Sequence, residues 1–483
     1  MIRRGNIILA ISVALICIAV LFAACDTGAS EKLTATYDDS HTVYVGDDLD
    51  SIKPYLTVKY TDKQGTETTV QNYTLSGTLQ EGQNVITVEY NGKTCTVEVT
   101  AEIDLLQYEL AEGGESYIVT GIDDRTVSSI VIPSEYNGKP VTSIGNSAFS
   151  SCSKLTSVKI PDSITSIDSG AFRQCLNLAY ITIPDSVTSI GSSAFSNCTN
   201  LTSVTMGNNV TNIGEKAFYY CIGLTTLTIP NGVTTIGTDA FSGCRKLLEV
   251  YNLSQLTITA GTQDNGSVAY YARDVYTSTS ETSKLTKTDD GYIFYDDNGN
   301  ISLVGYTGNE TELILPDKFN EKSYSIYNSA FYNCSSLTSI TIPDSIAEIG
   351  TSAFTACSNL TKVNYLGTME DWCNISFGSA SANPLYYAHN LYLNDKLVTE
   401  LIIPETVTEI KDFTFSNCTS ITSVTIPDSV TTIGSWVFSD CSNLKEIRYG
   451  GTVSDWNAIT KGSGWNSNVS ATKVICSDGE VTL

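Results

Sequence analysis

The cysteines are the residues of this chain best placed to do chemistry, because they recur at a fixed interval. Cys152, Cys175, Cys198, Cys221 and Cys244 stand 23 residues apart, as do Cys334 and Cys357, then Cys418 and Cys441. A regular thiol row could form disulfides, hold a metal ion or supply a nucleophile. In a chain that coils upon itself, equivalent residues lie about 4.8 Å apart, inside the Cα range that a disulfide tolerates. Distance therefore leaves neighbour pairing open. Equivalent side chains point the same way, however, and the first group holds five cysteines, an odd number. A ladder of buried free thiols is the better expectation. Metal binding is poorer still, since no Cys-x-x-Cys spacing occurs.

Other constellations carry less. The chain has two histidines, His41 and His389, which nearly removes imidazole triads and His-rich metal sites. His41 falls at a strand start and reads as a surface residue. Cys373 and His389 share one segment, yet no third group is placed to orient them. Asp162, Asp185, Asp344 and Asp428 each follow a proline. Stacked carboxylates about 5 Å apart repel by only about 0.8 kcal/mol in water, and Asn208 and Asn231 break the row, so solvated turn residues are expected there. Asp297-Asn298-Gly299-Asn300 lacks the full ligand series of a calcium loop and reads as a hairpin turn. No catalytic residue, metal or cofactor is expected. Aromatics gather between the regular units, at Tyr251, Tyr270, Tyr271, Tyr276, Tyr292, Tyr295 and Tyr306, then Trp372, Tyr386, Tyr387 and Tyr392. Such residues serve binding hot spots and sugar-stacking faces. They also fill irregular cores, and packing is the first expectation for them.

Composition sets the frame for these residues. At 483 residues the chain is too long for one compact core. A formal charge of -25 argues against nucleic acid, whose binders cluster Lys and Arg. Only 16% of residues are charged, so Ser and Thr must cover much of the surface; 41% are apolar, which excludes an acidic disordered tail.

The first residues read as an address. Arg3 and Arg4 precede an apolar run at 7–22, then Ala23, Ala24 and Cys25. This is the layout of a secretory signal, and the run is shorter than the roughly 20 residues of a membrane span. Leu21-Phe22-Ala23-Ala24-Cys25 resembles a bacterial lipoprotein lipobox, which implies removal of residues 1–24 and lipid attachment at Cys25. Phe22 departs from the Leu, Val or Ile usual three positions before that cysteine. Plain secretion is the alternative if Cys25 is not acylated. Residues 479–483 carry no apolar tail, so attachment is expected at the front.

Residues 32–102 alternate apolar and polar in short runs, and Asn91-Gly92 is a strong two-residue hairpin signal. Pairing across that turn sets Val88 opposite Cys95 and Ile86 opposite Val97, with Cys95 a small hydrophobe on the core face. With Tyr44-Val45-Gly46-Asp47 and Tyr90-Asn91-Gly92, the segment resembles the bacterial immunoglobulin-like domains of exported proteins, which implies a small all-β sandwich acting as a spacer.

From about residue 141 a 23-residue unit repeats. Three positions before each cysteine of the row stands a phenylalanine: Phe149, Phe172, Phe195, Phe218, Phe241, Phe331, Phe354, Phe415 and Phe438. In Leu155-Thr156-Ser157-Val158-Lys159-Ile160 the three aliphatic residues should point inward. Pro161 then ends the strand, as eight of the 11 prolines do at this point. Residues 164–167 should form a second short strand, and 169–175 a helical turn packing Ala171, Phe172 and Cys175. A period in this range is a leucine-rich-repeat solenoid. Ser163 stands where the usual pattern has Asn or Cys; with Ile-Pro-x-x-Val and Ala-Phe-x-x-Cys, the unit resembles the BspA-type repeats of bacterial surface proteins.

The expected fold is therefore a repeat solenoid of leucine-rich type with short β-strands and helical turns, preceded by the all-β sandwich. The order is leader 1–24, linker 25–31, immunoglobulin-like unit 32–102, repeats 103–250, irregular Tyr-rich coils 251–332 that continue the stack, repeats 333–364, an insertion 365–400, repeats 401–448 and a cap 449–483. The last element duplicates the insertion: Tyr365-Leu366-Gly367-Thr368-Met369-Glu370-Asp371-Trp372 recurs as Tyr449-Gly450-Gly451-Thr452-Val453-Ser454-Asp455-Trp456. The resemblance implies an adhesin-like protein on the outer face of a bacterial envelope, binding an extracellular protein or glycan of host matrix, mucin or neighbouring microbe. It would touch the membrane only through its lipid and bind no nucleic acid. It carries no ligand residues over, since the family motifs are structural. A surface spacer without a specific ligand is the alternative, and a glycan hydrolase a distant third.

Overall fold

The structure, a computed structural model, describes residues 31–483 apart from 40–42, 46–47, 103 and 309. The leader, Cys25, His41 and the Gly46-Asp47 step lie outside the described residues. Two compact units meet in sequence at Asp104 and Leu105.

The first unit holds two sheets. One is antiparallel and orders Lys32–Tyr37, Leu56–Thr61 and Glu67–Thr69. The other orders Val43–Tyr44, Lys93–Glu102, Gly82–Tyr90 and Thr74–Ser76. The Asn91-Gly92 turn forms, with both residues left-handed at φ 50° and 69°, as a two-residue hairpin loop requires. It pairs Val88 with Cys95 and Ile86 with Val97. Leu33, Val58, Ile86, Val88 and Val99 fill a core belonging to this unit alone.

The second unit is a β-solenoid of about 16 turns. Each regular coil lays down two strands. The first, such as Tyr180–Ile183, buries alternate residues and pairs in parallel with Ser203–Met206 one coil on. The second is only two residues long, such as Ser166–Ile167, shorter than the expected 164–167. It belongs to an eight-stranded sheet running from Leu106–Leu110 to Thr235–Ile236. Between the rows, threonine hydroxyls tie coil to coil: Thr165, Thr188, Thr211 and Thr234 each donate to the carbonyl 23 residues earlier, at 3.1–3.3 Å. A low-charge, Thr-rich surface follows from that use.

The third side of the coil differs from the expected helical turn. Two residues per coil are left-handed and flank the phenylalanine, as Ser147 and Ser151 (φ 57° and 63°) or Ser193 and Asn197 (56° and 61°). Each such non-glycine residue costs roughly 1–2 kcal/mol. What offsets this is a third ladder. Ala148, Ser150 and Cys152 donate their N–H groups to carbonyls three residues back, at 3.0–3.2 Å. Ser147, Phe149 and Ser151 instead donate to Ser169, Ala171 and Arg173 of the next coil, at 2.7–2.9 Å. A helix directs every N–H along its own axis, so it could not do this. Alternation of handedness turns every second N–H toward the neighbouring coil.

Inside this corner the phenylalanines stack. Centroids from Phe149 through Phe172, Phe195 and Phe218 to Phe241 are 5.1–5.2 Å apart with rings within 20° of parallel. The cysteines form the second row, and within each group the thiol of a later coil finds a partner in the coil before it. Sγ of Cys175, Cys198, Cys221 and Cys244 donates to the carbonyls of Phe149, Phe172, Phe195 and Phe218 at 3.1–3.2 Å. Cys357 and Cys441 repeat the bond to Phe331 and Phe415. Cysteine is thus a small apolar residue whose weak donor gives a second bond to a buried carbonyl that already accepts the N–H three residues on. Burial pushes the Cys175 and Cys244 thiols up to about 12.

The stack is not continuous, which corrects one expectation. Past Cys244 one irregular coil is added, ending in Asp274–Tyr276. Parallel pairing then stops, and a new set of coils starts from the antiparallel hairpin Tyr292–Asp297 and Asn300–Tyr306. The expected turn at Asn298-Gly299 closes that hairpin. No phenylalanine follows Phe241 in the row: Gly266 takes the place of the regular coil's alanine, and Ser267 follows it where the phenylalanine would stand. The break is polar. Glu249, fully buried, accepts from Ser283 Oγ (2.7 Å), Lys284 N (2.6 Å) and Tyr276 Oη (3.3 Å). Buried Lys246 donates to the Ala330 carbonyl at 2.8 Å, and desolvation lowers its ammonium to about 8.

The second break is apolar. Antiparallel Lys396–Leu397 ends one sheet and Glu400–Ile402 opens the next, yet a single core runs from Tyr292 to Cys476. The insertion makes the join: fully buried Trp372 donates Nε1 to Thr414 O at 3.0 Å, and Asn383 donates to Phe413 O and Thr414 O. The duplicated element folds alike in both places. Met369–Asn374 and Val453–Ala458 are short helices with capping boxes, Thr368 with Asp371 and Thr452 with Asp455.

Two expected outcomes follow. Phe195→Ala removes a ring stacked on both sides and should cost about 3–5 kcal/mol in urea unfolding; a loss below about 1 kcal/mol would mean the row is not a packed core. The thiols of Cys175, Cys198 and Cys221 should resist iodoacetamide in the native protein and react once it is unfolded. Their folded-state pKa lies above the ordinary 9.0, so the unfolded chain releases those protons first and stability should fall as pH rises beyond about 9. A melting temperature flat from about pH 8 to 11 would contradict this.

Candidate functional surface

The residues singled out by type and spacing divide between structure and surface. The thiol row is internal, as described. Of the proline-linked aspartates, Asp185 accepts from Asn208 N of the next coil at 2.6 Å, so its carboxylate holds a turn. Cys373 is fully buried with its thiol pushed up to about 12, while His389 is exposed with Nδ1 3.2 Å from Asn417 O. Among the described residues no group of three or more His, Cys, Asp or Glu is arranged to hold a metal ion, and no helix is long and apolar enough to cross a membrane.

Outward positions of the first strand row carry Thr182, Thr205 and Thr425, all exposed. This strip offers mainly hydroxyls, with Tyr180 an exposed ring two positions before Thr182. The Tyr-rich segment splits. Tyr276, Tyr292 and Tyr295 are buried; Tyr295 donates to Asp274 at 2.5 Å, and Arg273 lies 5.5 Å from its ring centre. These tyrosines build the polar break. Tyr270 is exposed and meets Tyr271 edge to face at 4.8 Å. The pair edges a cleft of about 560 Å³ that Asp239, Ser242, Gln263 and Asn265 also line.

A second cleft, of about 340 Å³, opens on the same left-handed corner in the last block. Tyr386 reaches it from the insertion. Phe413 and Trp436 reach it from neighbouring coils, with Asn417 and Asp440 beside them. Phe413 and Trp436 escaped the sequence reading. The signal was available: aligned on the cysteine row, both fall where Ser147, Ser193 and Ser352 stand in other coils.

Residues 123–248, 309–392 and 387–460 match the BspA type leucine-rich repeat region in six copies, more than half of the chain. A comparison with curated proteins returns no match. Among solved structures, a leucine-rich cell surface protein from Faecalibacterium prausnitzii is 28% identical, covering 74% of this chain and 96% of that one, with a TM-score of 0.32. A leucine-rich repeat protein from Eubacterium ventriosum is 18% identical over 77% and 94%, at 0.29. The pneumococcal vaccine antigen PcpA is 16% identical over 83% and 88%, at 0.26. The matched repeats are those whose corner, phenylalanine row and thiol row are described above, and the chain belongs to the BspA-type leucine-rich repeat family.

Proposed function

We propose that this is an exported surface protein, lipid-anchored at Cys25, that uses its solenoid to bind a protein or glycan ligand outside the cell. The apolar leader behind Arg3 and Arg4, the Leu21–Cys25 motif and family membership support the address. In this reading the first unit is an immunoglobulin-like spacer. The observation that carries binding is the pair of clefts on the left-handed corner, each edged by exposed aromatic side chains. Exposed Tyr and Trp beside hydrogen-bonding groups are the composition of binding hot spots. Formal charge of -25 disfavours polyanionic partners.

Deleting residues 251–332 would be a poor test, since that segment supplies buried Tyr295 and the groups that satisfy Glu249. The purified protein without its leader is better applied to an array of matrix proteins, mucins, glycans and whole microbial cells. The first unit alone, which has its own core, serves as control. Saturable binding by the longer protein only is expected. Absence of saturable binding to every class would leave the spacer reading.

A further inference from the structure

The coil corner contains an anomaly: two of its left-handed positions hold large aromatic residues, of which Phe413 packs against the core and Trp436 is exposed. The first left-handed position of each coil is held by small or polar residues, among them Ser147, Gly170, Ser193, Lys216 and Asp239. In two successive coils of the last block it is held by Phe413 (φ 64°) and Trp436 (φ 57°). The corner needs the left-handed backbone in every coil but not a bulky side chain on it, where such a residue is strained, and a choice that folding does not require points to function. Trp436 does not repay the strain by burial, since 42% of it is exposed.

Its ring is nonetheless held in place. Trp436 N donates to Ser463 O at 3.0 Å, and Gly464 of the next coil lies directly against the ring. A Cβ at Gly464 would stand 2.7 Å from Trp436 Cε3 and Cζ3, so only glycine allows this approach. Away from that support, the ring lines the cleft with Phe413 and Tyr386, the latter 40% exposed. Polar groups follow one turn along the same two coils. Asp440 accepts from Ser439 Oγ (2.7 Å) and from Asn468 Nδ2 (2.8 Å), which fixes its carboxylate, and Asn417 Nδ2 donates to Ser416 Oγ at 3.0 Å. No Lys, Arg or His lines the cleft.

From this geometry we infer that the cleft binds the terminal hexose of an uncharged glycan, with Trp436 as the stacking platform and Asp440 and Asn417 as partners for ring hydroxyls. The inference rests on the ligand-binding function proposed above and names its ligand class. A pyranose presents a face of C–H groups, which packs on the electron-rich face of an aromatic ring. Its rim presents hydroxyls that both donate and accept, which a fixed carboxylate and a side-chain amide can satisfy. The volume of about 340 Å³ suits one or two sugar rings. Asp440, the absence of cations in the lining and the net charge of -25 set the cleft against sialylated or sulfated termini.

Tryptophan emission gives a direct readout. The chain has four tryptophans, and Trp372, Trp456 and Trp465 are buried at 0%, 2% and 8% exposure, leaving Trp436 as the one open to solvent quenchers. The protein would be titrated with galactose-, glucose- and N-acetylhexosamine-terminated oligosaccharides and with sialylated and sulfated counterparts, following acrylamide quenching and array binding together. Trp436→Ser and Asp440→Asn are the variants. Each installs a residue that other coils carry at that position, so melting temperature should hold or rise. Saturable protection from quenching by an uncharged glycan is expected, with array affinity at least about tenfold weaker in Trp436→Ser and weakened also in Asp440→Asn. Undiminished affinity in Trp436→Ser, preference for the acidic glycans, or no binding of any uncharged glycan would overturn the inference. Binding of matrix proteins in that last case would leave the broader function standing.

Discussion

Alternating handedness at the coil corner is the constraint on which the rest of the solenoid depends. A polypeptide that turns sharply must direct its N–H groups somewhere. Here half of them close the turn and half reach the next coil, so the corner becomes a hydrogen-bonded ladder. That ladder holds successive corners in line, and alignment brings the phenylalanine rings to 5.1–5.2 Å in the first block. The same alignment places each thiol beneath the carbonyl of the preceding phenylalanine. Where a coil is longer the ladder persists, as in Phe438 N donating to Trp465 O at 2.7 Å, but those two rings meet edge to face at 6.4 Å, so the parallel stack is what the 23-residue interval preserves.

The two interruptions show what happens when a row ends. Where Gly266 replaces alanine and no phenylalanine follows, the interior is closed with charge. Glu249 and Lys246 are buried, each with its own hydrogen bonds; the two large cores end on either side, and a small cluster of Leu248, Tyr295 and Val304 spans the join. Where the 365–400 insertion intervenes, Trp372 and Phe377 fill the space and the core passes through. The first block keeps its own large core, while the other two share one interior. Antiparallel hairpins finish the sheets at these breaks and at the chain end, as exposed parallel edges require.

Much of this was legible in the residues. The cysteine and phenylalanine interval identifies the solenoid, and Asn91-Gly92 and Asn298-Gly299 mark hairpins that form with the expected pairing. The corner was not legible, because Ser, Asn, Lys and Asp at its left-handed positions resemble ordinary turn residues, and a short apolar run beside them suggests a helix. Nor could spacing show that a thiol donates to a carbonyl 26 residues back. The broken stack was hidden because 90 residues between Cys244 and Cys334 come close to a whole number of periods. Trp436 was missed for the opposite reason. It lies inside a regular coil, whose phenylalanine and cysteine keep the repeat in register around it.

Native-state hydrogen exchange, read residue by residue, tests the corner most directly. If the third ladder holds the coils, the amides of Phe172, Phe195 and Phe218, bonded to Ala194, Ala217 and Ala240, should be among the slowest in the chain. Slow exchange should then recur every 23 residues. Exchange of these three amides as fast as the exposed turn at 278–282 would show that the corners are not joined.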